Sequence, residues 1–338
     1  MKTAVIFGGT GFIGSFFACH LINNHDFKKV YLFDLESPSE KESEFLKKML
    51  TSLTQIKYIK GDIRNSIDWE PNEKIDLIGN FAAIHREPGH HPKEYYETNL
   101  KGAKHVCNWA IKNNCHRIIF TSSIAPYGPD EDEKNELSTP VPESPYGGSK
   151  LVAENIHKTW QAKNKNSQLI IIRPGVVFGP GEGGNVTRLI KAVLGRYFLY
   201  MGNRETKKAG VYVKELCNAI MWVINDSDKK NKRVTTFNMS MDPIPSVEDF
   251  VISIKKTANK DFFIFSVPSF ILYAMAYFID IIAKPLGINH PFSPVRIKKL
   301  ITSNNIKSQY LIDNGYSFKY TLDEALHDWS KEFPHDFK

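Results

Sequence analysis

KTAVIFGGTGFIG, running from Lys2 to Gly14, decides the fold. Its apolar first half has the length and the Val, Ile and Phe content of a buried strand, and it runs directly into Gly8, Gly11 and Gly14 at a GxxGxxG spacing. An apolar helix follows from Phe16 to Ile22. Strand, glycines and helix in this order suit a pyrophosphate: glycine lets the backbone turn tightly and approach the phosphates, whose charge then sits at the helix N-terminus. Gly8, Gly11, Phe12, Ile13 and Gly14 are therefore the first candidate cofactor residues. Val30 to Phe33 reads as a second strand, and Asp34 ends it, about 20 residues past the last glycine. A carboxylate there accepts hydrogen bonds from an adenine ribose and repels a 2′-phosphate, and no Arg or Lys follows before Lys41, so NAD is expected over NADP. The fold class implied is α/β, a Rossmann-type doubly wound parallel sheet with a smaller C-terminal substrate-binding lobe.

Two further stretches, RIIFTSSIAPYG from Arg117 and SPYGGSKLVAE from Ser144, carry a hydroxyl, a phenol and an ammonium. Arg117 to Ser122 reads as a buried strand, so Ser123 falls where the chain leaves the sheet, a usual place for chemistry in an open parallel sheet. Pro145 starts a helix on which Tyr146 and Lys150, at i and i+4, share one face. A phenol with an ordinary pKa of about 10 is a poor base at neutral pH, and a neighbouring ammonium favours its phenolate. Tyr146 can then exchange a proton with a substrate alcohol while Ser123 hydrogen bonds the same oxygen. YxxxK by itself is weak, since Tyr and Lys at this spacing are commonly a surface pair; the upstream dinucleotide loop gives it weight.

In this order the motifs resemble the extended short-chain dehydrogenase/reductases, in particular the nucleotide-sugar epimerase and dehydratase group, over nearly all 338 residues. The resemblance implies roles residue by residue. Ser123, Tyr146 and Lys150 match the catalytic set, Tyr146 and Lys150 also touching the cofactor. Asp62 in GDI, with Ile63 beside it, matches the adenine-side Asp; Ala82 and Ala83 match the loop near the cofactor, and Asn99 in TNLKG a structural Asn. Arg173 to Gly181 match the RPxxVxGPG turn, Tyr212 to Leu216 an HVDDL-like segment, and NGYSFKYTLDEALHDW the closing helix. On the substrate side the candidates are His85 and Arg86, Asn185, Arg296, and Lys208, which stands where the group has a diphosphate-binding Arg. A Lys neutralises phosphate without gripping it bidentately. Dehydratases of the group place an Asp-Glu pair directly after the catalytic hydroxyl, where this chain has Ile124 and Ala125. Enzymes that epimerise next to the ketone place a Cys in the strand-end loop, and none lies there. Hydride chemistry at one carbon remains.

The rest of the chain frames these motifs. Its 338 residues exceed a usual single domain and no linker separates halves, so 1–178, with 212–241 returning to it, is expected to bind NAD, and 179–211 with 242–338 to bind substrate. Ile75–Ala83, Leu169–Ile172 and Thr235–Met239 read as strands, Leu100–Asn113 and Val186–Leu199 as helices, and Gly128–Ser144 as an acidic loop over the substrate. Cys19, Cys107, Cys115 and Cys217 form no CxxC pairs and read as reduced packing residues; with the N-terminus running straight into a strand, a cytoplasmic protein is expected. The 44 basic residues against 37 acidic ones give a net charge of +7, which suits an anionic cofactor and substrate or a weakly basic membrane face. The cations are scattered, with no aromatic-interleaved basic run, so nucleic acid is not an expected partner. His85, His90 and His91 form no ligand set, and no metal is expected. Within Asp261–Pro291 the apolar stretch FFIFSVPSFILYAMAYFIDIIAKPLG is interrupted by Pro268 and Asp280, short of the roughly 20 residues that span a bilayer. It reads as a core helix of the lobe, with interfacial membrane contact through 262–284 as the alternative. With PFSPVRIKKL it is similar to the C-terminal part of the 3β-hydroxysteroid dehydrogenase and sterol decarboxylase relatives, which implies a lipid alcohol as an alternative substrate.

The function expected is NAD-dependent C4 epimerisation of a UDP-sugar through a transient 4-keto intermediate, in carbohydrate metabolism. The resemblance further implies a homodimer built on the Leu100–Asn113 and Ser149–Lys163 helices. Two alternatives stay open: net dehydrogenation or reduction of a keto sugar or a 3β-hydroxysteroid-like alcohol, which would release cofactor each turnover, and a non-catalytic NAD-binding protein.

Overall fold

The computed structural model describes residues 2–86, 89–268 and 302–338, with 270, 271, 274, 277 and 279. In chain order the first strands are β1 (Lys2–Phe7), β2 (Phe27–Asp34), β3 (Ile56–Lys60), β4 (Leu77–Asn80), β5 (Arg117–Thr121), β6 (Asp130–Lys134) and β7 (Gln168–Pro174). Six of them join β11 (Val234–Met239) in a seven-stranded sheet of order β11-β7-β5-β4-β1-β2-β3, with every pairing parallel. Parallel neighbours need long crossovers. Here these are α1 (Phe12–Asn24), α2 (Glu44–Thr51), α3 (Pro92–Lys112), α4 (Pro145–Lys163) and α6 (Val213–Lys229).

Along β1, Ala4 and Ile6 face one core while Val5 and Phe7 face the other, and β7 alternates the same way with Ile170 and Ile172 against Leu169 and Ile171. Both faces are covered, which is why these strands are continuous apolar runs. Val106, Trp109, Ala153 and Trp160 of α3 and α4 cover the second face. The four cysteines are buried free thiols. Strand order reverses direction between β1 and β4, and the carboxyl ends of the strands on either side of such a switch leave a crevice.

The chain then builds a lobe beside that crevice from α5 (Asn185–Leu194), α7 (Val247–Thr257), α8 (Gln309–Asp313) and α9 (Leu322–Glu332). Two-stranded parallel ribbons pair β8 (Val176–Phe178) with β10 (Gly210–Tyr212), β9 (Tyr200–Met201) with β12 (Ser266–Val267), and β6 with β13 (Asn304–Ile306). Trp329 of α9 is fully buried, stacked on Phe178 at 6.3 Å between ring centroids.

Four elements differ most from expectation. The strand expected over Ile75–Ala83 is confined to Leu77–Asn80. The helix expected from Leu100 begins at Pro92, because His91 and Glu94 form a capping box and Pro92 occupies the first turn. The helix expected to reach Leu199 ends at Leu194, where Gly195 caps it. The acidic loop contains β6, whose all-charged sequence becomes a strand by pairing with β13; Glu131 accepts the Ser303 N–H at 3.0 Å, and Lys134 pairs with Asp130 at 2.8 Å. Most of the apolar stretch after Pro268, and Arg296, lie outside the described residues. Among the described residues no helix is long and apolar enough to cross a membrane.

Candidate active site

The crevice is a cleft of about 1540 Å³, against roughly 300–1,000 Å³ for a pocket holding one drug-sized ligand, so it has room for two ligands side by side. One wall is the glycine loop. Gly8 has φ +75°, and a Cβ on it would come within 2.5 Å of the Ala82 nitrogen, while one on Gly14 would lie 2.3 Å from the Gly8 carbonyl. Side chains are excluded, so backbone is what faces the cleft. Helix α1 starts at this wall with Gly11 as N-cap and no side-chain cap, and Gly11, Phe12, Ile13 and Gly14 all line the cleft. An uncapped helix start directed at a cleft suits a diphosphate.

Asp34 lies at the end of β2, its carboxylate accepting the Thr10 N–H at 3.0 Å and the Leu35 N–H at 2.8 Å. Lys41 also reaches the lining, but its ammonium pairs with Glu36 at 3.1 Å. Asp62 lines the cleft with Ile63, and its carboxylate takes a fork of bonds from Arg64 that holds it below the usual carboxylate range. The uncapped helix start, the Asp34 carboxylate at the end of β2 and the ion-paired Lys41 fit NAD.

Opposite the loop, Ser123, Tyr146 and Lys150 line the same cleft. Ser123 leaves β5 in a turn that its own Oγ closes by accepting the Ala125 N–H at 3.1 Å. Ser144 caps α4 through the Gly147 N–H at 3.1 Å, and Pro145 occupies the first turn, as the sequence predicts. The start of α4 packs hard on that turn: a Cβ on Gly147 would fall 2.6 Å from the Ala125 carbonyl oxygen. Tyr146 and Ser123 are thus held by two backbones in contact. Tyr146 is half-buried, its ring 6.0 Å from that of Tyr95.

Lys150 is buried, with its ammonium 4.6 Å above the Phe120 ring. Burial pushes its pKa down to about 7, and Glu154 one turn on pulls it back up. His157 stacks on the other side of this cluster, 4.1 Å from Phe120. Its Nδ1–H donates to the Ala153 carbonyl at 2.8 Å, so its Nε2 accepts from Asn80 at 3.1 Å; burial lowers its pKa to about 4 and it is neutral. The Glu154 carboxylate accepts from Ser122 Oγ at 2.6 Å and, as a fork, from Arg173 Nε at 2.8 Å and Nη2 at 2.7 Å. Arg173 continues to Tyr127, and Tyr127 to Asn238. Glu154 carries no motif of its own; its spacing after Lys150 is the one signal for it in the sequence.

The other candidates divide. Ala82, Ala83, His85, Arg86 and Asn185 line the cleft. Burial lowers the His85 pKa. Asn99 is buried behind the lining: it accepts the Ile84 N–H at 3.1 Å and donates to Ser149 Oγ at 2.9 Å, fixing the loop after β4 to α4. Lys208 is not among the lining residues. Its ammonium donates to the carbonyl of Thr302, itself a lining residue, at 2.8 Å, and burial lowers its pKa to about 8. Arg188, which no motif singles out, lines the cleft one turn along α5 and donates to Asn185 at 2.6 Å. Among the described residues no group of three His, Cys, Asp or Glu could hold a metal.

Comparison with known proteins gives a family and a fold. Residues 4–239 match the NAD dependent epimerase/dehydratase family. The chain is 27% identical over 325 residues to the N-acetyl-alpha-D-glucosaminyl-diphospho-ditrans,octacis-undecaprenol 4-epimerase of Escherichia coli O157:H7, covering 95% of this chain and 92% of the relative. It is 28% identical over 196 residues to a bifunctional UDP-glucose 4-epimerase and UDP-xylose 4-epimerase of Arabidopsis thaliana, 55% of each chain. A solved structure of UDP-glucuronic acid 4-epimerase from Bacillus cereus in complex with NAD superposes with a TM-score of 0.72 at 19% identity, over 100% of both chains, and shares the fold.

Proposed function

This chain belongs to the NAD dependent epimerase/dehydratase family, and within it we propose a 4-epimerase that inverts C4 of a sugar carried on a nucleoside diphosphate, with UDP the expected carrier. The observation that carries this reading is the lining of one cleft by Ser123, Tyr146 and Lys150 together with the glycine loop, with Ile124 and Ala125 directly after the serine. These groups can hold one oxygen and move one proton, and no carboxylate pair stands there to expel water. Likeness to a 4-epimerase over nearly the whole chain supports the choice of carbon.

NAD bound here supplies a hydride acceptor and donor. Gly8, Gly11, Phe12, Ile13 and Gly14 would take its diphosphate, Asp34 its adenine ribose, Asp62 and Ile63 its adenine side, and Ala82, Ala83, Tyr146 and Lys150 its nicotinamide half. Tyr146 takes the proton from the C4 hydroxyl and returns it after the 4-keto sugar has turned its other face. Ser123 donates to the same oxygen throughout. The charge developing on that oxygen meets donors already in place. Arg188, beside Asn185, brings a cation to the substrate diphosphate, with His85 and Arg86 on the loop across from it. In this proposal 1–178 and 212–241 carry NAD, 179–211 and 242–338 carry substrate, and two copies join through α3 and α4.

Purified protein is expected to release near-stoichiometric NAD on denaturation and to invert UDP-sugars at C4 with no added cofactor. Tyr146→Phe should lower kcat by about 10²–10⁴-fold with NAD retained. Turnover only with added cofactor, and net oxidation or reduction of the sugar, would refute the epimerase.

A second reading keeps the C4 chemistry and replaces the nucleoside by a polyprenyl chain, as in the name of the E. coli relative. It is favoured by large exposed side chains on the lobe, with Phe263 73% and Phe265 68% exposed.

A further inference from the structure

An apolar face adjoins the β9–β12 ribbon. Beside it Tyr197, Leu199, Phe263 and Phe265 are 68%, 41%, 73% and 68% exposed, and the last three line a hollow of about 310 Å³ together with Val193, Phe198 and Phe262. Single exposed apolar residues are ordinary, whereas a contiguous aromatic group marks a contact surface. Positive charge lies beside it: Arg196 lines the hollow and extends over the Phe262 ring at 5.1 Å, and Lys260 precedes Phe262 by two residues in the chain; neither has an ion pair with a described residue, while the exposed Asp261 is paired with Lys255 at 2.7 Å. Further along the chain Phe270 is 71% exposed, and Tyr277, 60% exposed, is a lining residue of the cleft.

We propose that this face seats the protein on an anionic phospholipid bilayer, from which a polyprenyl-diphosphate sugar enters the cleft past Tyr277. The proposal rests on the second reading above. Aromatic rings settle at the boundary between headgroups and acyl chains, and the neighbouring cations meet lipid phosphates. The contact proposed is with the surface of the bilayer. A soluble nucleotide sugar would need no such face. A lipid-linked substrate keeps its hydrocarbon tail in the bilayer, and an enzyme acting on it must stand at the surface.

The test is flotation of the NAD-loaded enzyme with vesicles of phosphatidylcholine, with and without phosphatidylglycerol. Wild type is expected to float with the anionic vesicles, and Phe263→Ser combined with Phe265→Ser to lower the floated fraction about tenfold or more while keeping the melting temperature. Arg196→Glu with Lys260→Glu should remove the preference for phosphatidylglycerol. A wild type that stays in the soluble fraction overturns the proposal, as does a double Ser variant that floats like wild type. So does one that becomes monomeric with flotation unchanged, since a second copy of the chain then covers the face. Turnover of a short-chain, water-soluble prenyl-diphosphate sugar is read in parallel. An enzyme that turns it over without floating loses only the docking surface, and one that floats but leaves it untouched loses only the lipid-linked substrate.

Discussion

Glu154 is fully buried, and it is the anion that Ser122 and Arg173 both need. Replacing it by Gln leaves a buried guanidinium facing a neutral amide. Removing one partner of a buried pair costs about 3–5 kcal/mol, so Glu154→Gln should show a lowered denaturant midpoint. Lys150 gives a pH signature. Its folded value of about 7 lies below the ordinary 10.5 because the ammonium is buried. Between those values the unfolded chain holds the extra proton, so this group makes stability rise with pH across that window, and its penalty is complete below it. Lys150→Met removes the penalty. In cofactor-free protein, the variant's stability relative to wild type should be greatest at or below pH 7 and shrink as pH approaches 10.5. Thermal melts across that range check it. The hydroxyl, phenol and ammonium of the site were legible because a strand end and a helical i,i+4 spacing bring them together locally. Arg188 and Lys41 were not, since their arrival in the cleft depends on how the lobe and the β2–α2 connection pack.

At the level of elements, the contact between α4 and the turn after β5 sets the distance from the phenol to the serine. Gly147→Ala would press a methyl group into the Ala125 carbonyl, at 2.6 Å if nothing moved, so the helix start must shift. Overpacking of this kind costs about 1–3 kcal/mol. The expected result is a fall in kcat larger than the change in NAD retention, measured on the same preparation. Buried parallel strands such as β5 and β7 announce themselves as apolar runs because both faces are covered. β6 does not: DEDEK has no apolar residue, and its conformation comes from a partner more than half the chain away. The first turns of α3 are hidden by polar side chains, although His91, Pro92 and Glu94 spell a helix start to a reader looking for caps rather than hydrophobic period.

For the whole molecule, the glycine loop and Asp34 were enough to specify the doubly wound sheet, while the lobe was legible only in outline because its short ribbons join distant segments. Exposed Tyr96 and Ile111 on α3 and Val152 on α4 leave apolar surface on the paired helices. Light scattering should report a dimer, and Val152→Asp should shift it towards monomer. The sheet is also built out of sequence order. β7 lies between β5 and β11, and α5 and α6 are made before β11 returns to close that side. While the polypeptide is still emerging from the ribosome, β7 therefore has a bare edge, with Leu169 to Ile172 unpaired on one flank, until Met239 has cleared the exit tunnel. A nascent chain halted within α5 or α6 would present that edge to its neighbours, so the order of synthesis makes this span the stage at which a chaperone is most needed.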